Sequence, residues 1–183
     1  MQLVNTETRY GALPQVLHWA TVICVVAGWL LGQFIDDFPK GVARDSAFAT
    51  HVALGEFVLV LLAVRLLWRF TNRPPAVLPT RFGRAGEIAA TLGHYALYAL
   101  LLAVPIVGIV AQLKRSNALP IFGVWQLASP WPADRAAAHR VMEVHELLAN
   151  ALLILAGIHA AAALIHHYVF GDRTLVRMLP GRG

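Results

Sequence analysis

Four apolar stretches run through the chain and limit what it can fold into. They extend from about Pro14 to Phe34, Ala47 to Trp68, Glu87 to Val110 and Val144 to Phe170. Each reaches or exceeds the roughly 20 residues that an α-helix needs to cross a bilayer. Of the 183 residues, 58% are hydrophobic and only 14% charged, too few charges to cover that apolar surface in water. The expectation is an all-α membrane protein: a single domain over 1–183, folded as a four-transmembrane-helix bundle with approximate spans 14–34, 47–68, 87–110 and 144–170. Four crossings put both termini on one side.

The net charge of +5 does not point to nucleic acid, because the arginines cluster just beyond helix ends, where they set orientation. Arg9, Arg69, Arg73, Arg81, Arg84, Arg173, Arg177 and Arg182 fall on the side of the termini. Lys40, Arg44, Lys114, Arg115, Arg135 and Arg140 fall on the other. This positive-inside bias places both termini in the cytoplasm. The first stretch is too long for a signal-peptide core, lacks a small-residue cleavage site and carries a histidine, so it reads as a mature helix. The one cysteine, Cys24, lies inside it and excludes an intrachain disulfide.

Prolines mark the ends. Pro14 occupies a first turn, Pro74, Pro75 and Pro79 close the second helix, and Pro180 follows the fourth. Pro105 and Gly108 fall inside the third helix, where a kink is expected. The segment after it, with Pro120, Pro130 and Pro132 among Phe122, Trp125 and Trp131, reads as a loop at the outer interface, and the fourth helix begins near Asp134.

Ionisable groups inside a bilayer are costly and by default functional. His18, His51, His94 and His159 lie well inside apolar runs, with His145 near an end. A single such histidine is as readily a neutral side chain hydrogen-bonded to a neighbouring helix. Several that pair by depth are harder to explain that way. At 100° and 1.5 Å per residue, His145 and His159 fall within about 40° of one face and roughly 21 Å apart along the axis. His51 matches the depth of His145, and His18 that of His159. A tetrahedral zinc site wants four N/S ligands, and neither pair has a cysteine or carboxylate to complete it. Haem iron needs two axial ligands from opposite faces, which paired histidines on facing helices supply. Two bis-histidine haems b are expected, non-covalent because no C-x-x-C-H motif occurs.

Arg65, 14 residues after His51, shares that histidine's face at the depth of the inner pair, and is a candidate partner for haem propionates rather than a residue snorkelling to the surface. His94 lies near the depth of His18 and His159, and helical spacing alone does not decide between His18 and His94 as the residue facing His159. His166, seven residues beyond His159 and within about 20° of its face, is a candidate for lining a pocket at the haem edge. Equally, with His167 and Tyr168, it belongs to an interfacial polar belt. His139 is expected to be solvated.

The chain resembles the bacterial di-haem cytochrome b561 proteins, most closely their superoxide:ubiquinone oxidoreductase branch. The resemblance rests on Leu17-His18-Trp19, on His51 followed by Val64-Arg65-Leu66-Leu67, and on Leu92-Gly93-His94 and Pro105-Ile106-Val107-Gly108. It continues in His145-Glu146, in the run from His159 to Tyr168, and in the tail from Leu175 to Pro180. It implies that His18 and His159 hold the iron of a cytoplasmic-side haem and that His51 and His145 hold that of a periplasmic-side haem. His94 then becomes a propionate hydrogen-bond donor or a packed polar residue. The resemblance also implies ubiquinone as acceptor, superoxide as donor and a bacterial inner membrane location. The outer loop from Leu113 to Ala138 matches little.

The first functional expectation is therefore a membrane oxidoreductase that oxidises superoxide and reduces ubiquinone, with quinone bound on the cytoplasmic side near His166. The second is a membrane cytochrome b relay subunit taking electrons from a docked redox partner protein. A non-redox transporter would leave the haem sites unexplained.

Overall fold

The structure is a computed structural model describing residues 2–76, 78, 81–115 and 118–180; Pro79 and Arg182, read above as a helix end and a cytoplasmic charge, lie outside the described residues. Four long helices carry the fold: α1 (Ala12–Phe34), α2 (Val42–Thr71), α3 (Gly83–Lys114) and α4 (Arg135–Tyr168). All four are long and apolar enough to span a membrane. They outrun the apolar stretches at most ends because a helix continues into water wherever its polar residues permit. α2 begins five residues early through Arg44 and Asp45, while α4 starts at Arg135 on the side-chain cap of Asp134, whose Oδ1 accepts the Ala137 N–H at 2.9 Å. At its far end α4 stops at Tyr168, two residues short of Phe170.

α1 packs along α2, α3 along α4, and α2 joins the two hairpins across α3. α3 is one continuous helix through Pro105, which has no N–H to give to the Leu101 carbonyl. At that level α3 comes close to α2: a Cβ added to Gly55 would lie 3.7 Å from Pro105 Cβ. The centre of the bundle is an apolar cluster of Val58, Leu62, Leu101 and Leu152, flanked by Cys24, Val25, Leu97, Tyr98, Leu100 and Val104. Outward-facing positions such as Ile23, Phe57, Leu102, Ile154 and Ile158 are exposed apolar groups, as a lipid-facing surface requires.

The outer segment differs from the expected interfacial loop. Leu119–Ile121 and Trp125–Leu127 form a two-stranded antiparallel hairpin, β1 and β2, with Leu119 opposite Leu127. It folds back along the end of α3, where Gln112 Nε2 donates to the Ala118 carbonyl at 3.3 Å. Its tip meets α2, with the Phe122 N–H donating to Glu56 Oε2 at 2.7 Å and the Phe122 ring edge-on to Phe57. A buried carboxylate needs such a donor. Phe122 itself sits at φ +46°, a left-handed conformation that bulky residues rarely adopt without support.

On the face of the bundle that carries both termini, the N-terminal segment, the turn after α2 and the C-terminal tail are stitched together. Gln15 Nε2 donates to the Arg177 carbonyl, Trp19 Nε1 to the Met178 carbonyl at 2.8 Å and Arg9 to the Leu179 carbonyl. Arg177 in turn reaches the carbonyls of Thr8 and Ala76. The tail is therefore tied to the first two turns of α1 through Gln15 and Trp19.

Candidate haem-binding and quinone sites

At the outer level His51 of α2 and His145 of α4 face each other with ring centres 6.1 Å apart. Each ring is anchored to a different neighbouring helix. His51 Nδ1 bonds the Gly28 carbonyl of α1 at 2.8 Å, and His145 Nδ1 bonds the Val104 carbonyl of α3 at 2.9 Å. A carbonyl oxygen can only accept, so Nδ1 carries a proton in both rings, which leaves Nε2 as the nitrogen available to a metal when the ring is neutral. Four residues beyond each carbonyl, on the same helix face, stands a glycine. A Cβ at Gly32 would come 2.9 Å from His51 Cε1, and one at Gly108 would come 2.9 Å from His145 Cε1. Both rings thus lie in grooves that only a residue without a side chain leaves open. The same device, a carbonyl at one turn and a glycine at the next, occurs on two helices.

At the inner level the ring centres of His18 (α1) and His159 (α4) are 6.4 Å apart. His94 of α3 is closer to His159, at 5.1 Å, and its Nδ1 is turned to the Ala90 carbonyl of its own helix. A metal–nitrogen bond of about 2 Å on each side, with roughly 1.1 Å from nitrogen to ring centre, sets two axial imidazoles roughly 6 Å apart. The 6.1 and 6.4 Å pairs fit that separation. The 5.1 Å pair is shorter than the separation of two imidazoles on opposite faces of one iron. Among the described residues no group of three or more His, Cys, Asp or Glu side chains is placed to hold a metal ion. The outer level thus offers two facing imidazoles and the inner level three, and a facing pair at each level suits the iron of a macrocycle.

Arg65 is half-buried near the inner level, within electrostatic reach of His18, His159, Tyr98 and Tyr10. The ion pairs among the described residues are Arg44–Asp36, His139–Glu143 and His166–Asp172, and Arg65 enters none of them. A guanidinium at membrane depth without a carboxylate partner suits the propionates of a haem. Burial pushes the nearby Tyr10 hydroxyl up against the opposing pull of Arg177 and Arg69, so it stays protonated.

His166 lies in the last turn of α4. Its Nδ1 bonds Asp172 Oδ2, while the other oxygen of Asp172 accepts the Thr174 N–H at 2.8 Å. Burial works to raise the Asp172 carboxyl, but the hydrogen bonds from Thr174 and His166 outweigh it and hold the group below its usual range. The ring meets Phe170 edge-on, and the Arg81 guanidinium lies 5.4 Å from the Phe170 centroid. His139 is exposed, 3.6 Å from Glu143, as a solvated residue should be.

Sequence reasoning passed over the roles of five of these residues. Gly28 and Gly32 carried a signal, the small-x-x-x-small spacing of close helix contacts, but it does not say that a histidine fills the groove. Gly108 reads as a kink residue rather than a seat for His145. Asp172 reads as an ordinary residue of a turn. Glu56, buried in α2 and holding the hairpin, carried the general signal of an acid inside an apolar run.

A family model described as prokaryotic cytochrome b561 matches residues 9–181. The chain is 31% identical to "Cytochrome b561 homolog 2" of Escherichia coli (strain K12), over 98% of this chain and 95% of that relative. It is 30% identical to "Probable superoxide oxidase CybB" of Yersinia pestis, over 94% and 96% respectively. With "Cytochrome b562" of Cereibacter sphaeroides it shares 31% identity, over 98% of this chain and the full length of that protein.

Proposed function

The chain belongs to the prokaryotic cytochrome b561 family, multi-pass bacterial membrane proteins of electron transfer, and from that premise we propose a superoxide:ubiquinone oxidoreductase with two haems b. The overall reaction takes one electron from each of two superoxide anions, releases two dioxygen molecules, and converts one ubiquinone and two protons to ubiquinol. The observation that carries the reading is the pair of facing imidazoles at each of two levels, 6.1 and 6.4 Å between ring centres. A relative named as a probable superoxide oxidase, matched over nearly its whole length, supports the donor.

His51 and His145 would hold iron at the outer level, His18 and His159 at the inner. Haem b supplies at each level an iron that accepts and returns a single electron. The chain does the rest. Backbone carbonyls at Gly28 and Val104 fix the tautomer and orientation of the outer rings, and Arg65 would neutralise propionate charge at the inner level. The cluster of Val58, Leu62, Leu101 and Leu152 keeps the space between the levels dry. Both termini face the cytoplasm of a bacterial inner membrane, so superoxide meets the outer end, where Lys40, Arg44, Lys114, Arg115, Arg135 and Arg140 stand. Arg44 is partly neutralised by Asp36 at 3.3 Å, and Lys114 lies over the Trp131 ring. Ubiquinone binds at the cytoplasmic end beside His166.

The test is stopped-flow mixing of superoxide with purified, quinone-loaded protein in nanodiscs. The haems should reduce without any added protein. The rate should fall as salt rises, since exposed charges are screened over about 8 Å at physiological ionic strength. It should fall again when Lys114 and Arg115 are neutralised together. Haems that stay oxidised, or reduce only when another membrane protein is supplied, would replace this reading with that of a relay subunit serving a docked redox partner.

A further inference from the structure

The contact between His166 and Asp172 reaches beyond the quinone site that contains it. Asp172 lies past the end of α4, and the turn that returns it passes through Gly171 at φ +67°, a conformation that favours glycine. The backbone fixes the turn: the Asp172 N–H donates to the His166 carbonyl at 3.0 Å, and the Phe170 N–H to the Ile165 carbonyl at 3.1 Å. Both carboxylate oxygens are then committed, Oδ1 to the Thr174 N–H and Oδ2 to His166 Nδ1. Both side chains are largely covered, at 20% and 25% exposed. A surface ion pair would be loose and screened. This one is held at its acidic end by the backbone and closes a loop of six residues.

The position of the ring makes the pairing matter. A neutral imidazole whose Nδ1–H is given to a carboxylate has only a lone pair at Nε2 and cannot donate to a quinone carbonyl, which is itself an acceptor. To hold that carbonyl, the ring must carry a proton on both nitrogens, and an adjacent carboxylate supports that form. The charged neighbours around His166 are Asp172 on the Nδ1 side and Arg81, whose guanidinium lies 5.4 Å from the Phe170 centroid.

We propose that Asp172 is the positioning residue of a carboxylate–imidazole dyad through which His166 delivers a proton to the ubiquinone carbonyl that it holds. The inference rests on the quinone reading of His166 above. As the two electrons drawn from superoxide reach the quinone, His166 gives its Nε2 proton to the carbonyl oxygen. The O–H bond forms, the Nε2–H bond breaks, and the neutral ring keeps its Nδ1–H bond to Asp172. A proton from cytoplasmic water restores the imidazolium, and the second quinone oxygen takes its proton from water at the same surface. Asp172 never leaves its turn and exchanges no proton with the substrate.

Asp172→Asn isolates the effect. The asparagine has one acceptor oxygen, which the Thr174 N–H retains, so His166 Nδ1 meets an amide NH2 and must accept instead of donate. The experiment uses haem-loaded protein in nanodiscs, ¹⁵N-labelled at histidine and kept reduced, with a short-chain ubiquinone as the probe of reoxidation. His166 resonances are assigned by their loss in His166→Gln. In the native protein both His166 nitrogens should be protonated. In Asp172→Asn only Nε2 should be, with reoxidation by quinone slowed about a hundredfold and haem content unchanged. Asp172→Glu, which keeps the charge, should retain both protons and most of the rate. It also carries the comparison if the asparagine variant fails to insert, and loss of the doubly protonated ring in it would overturn the dyad. Slow reoxidation in His166→Gln with native rate and native resonances in Asp172→Asn would overturn the dyad and leave the quinone site standing. Native rates in both variants would overturn the dyad together with the quinone reading.

Discussion

Gly108→Ala places a methyl group where its carbon would lie 2.9 Å from Cε1 and 3.0 Å from Nδ1 of His145. Carbon–carbon contacts settle near about 3.5 Å, so the ring must withdraw by roughly half an ångström. It cannot withdraw freely, because Nδ1 is tied at 2.9 Å to the Val104 carbonyl, one turn earlier on the same helix. Overpacking of this kind costs about 1–3 kcal/mol, and replacing a mid-helix glycine by alanine returns about 1 kcal/mol of helix propensity. Global stability should therefore change little, by about 0–2 kcal/mol. The consequence falls on the site, since a ligating nitrogen tolerates displacement of only about 0.5 Å. Gly108→Ala should lose the outer haem, or shift its absorbance and potential, and keep the inner one. Gly32→Ala should do the same through His51, where the added carbon would also lie 2.9 Å from Cε1. Gly55→Ala and Gly28→Ala are the matched controls: their new Cβ atoms meet nothing nearer than 3.7 and 3.8 Å, and both haems should remain. Haem quantification with a redox titration of the difference spectrum reads the outcome. Two haems with native spectra in both Gly108→Ala and Gly32→Ala would refute the cradle.

Other perturbations separate the remaining parts. His145→Ala should remove the outer haem alone and His159→Ala the inner alone, while His94→Ala keeps both; loss of the inner haem in His94→Ala with its retention in His18→Ala would reverse the pairing. Glu56→Leu leaves the Phe122 N–H without its acceptor and should destabilise the fold by about 1–3 kcal/mol in a denaturant titration, whereas Glu56→Gln, which can still accept, should cost far less; equal losses would show that the hairpin does not depend on this bond. The Asp172 carboxyl sits below its ordinary range, so its contribution to docking the tail is complete above about pH 3.9 and is lost as pH falls through the depressed folded value. Limited proteolysis of the tail across that acid range should show release in the native protein. The same acid profile in Asp172→Asn would contradict the assignment.

The helices are legible in the sequence because lipid imposes a length and a polarity on each crossing, and both are local properties. The shared face of His145 and His159 is legible for the same reason, through the 3.6-residue period of one helix. What lies between helices is not. His18 and His94 lie at the same depth, and their distances to His159, 6.4 and 5.1 Å, are not encoded in any periodicity. The hairpin from Leu119 to Leu127 escapes notice because its strands are three residues long and its anchor, Glu56, lies on another element 66 positions away. Asp172 is six residues from His166, yet a helix end and a glycine turn intervene, and only the folded turn brings them together.

On the reading proposed here the chain builds two iron sites, one at each level, each closed by two imidazoles. Pyridine haemochrome analysis against protein concentration tests this directly on the purified full chain. Two haems b per chain, extracted without covalent attachment and six-coordinate low-spin in the native spectrum, are the predicted result. One haem per chain, none, or a high-spin iron open to added ligands would contradict it.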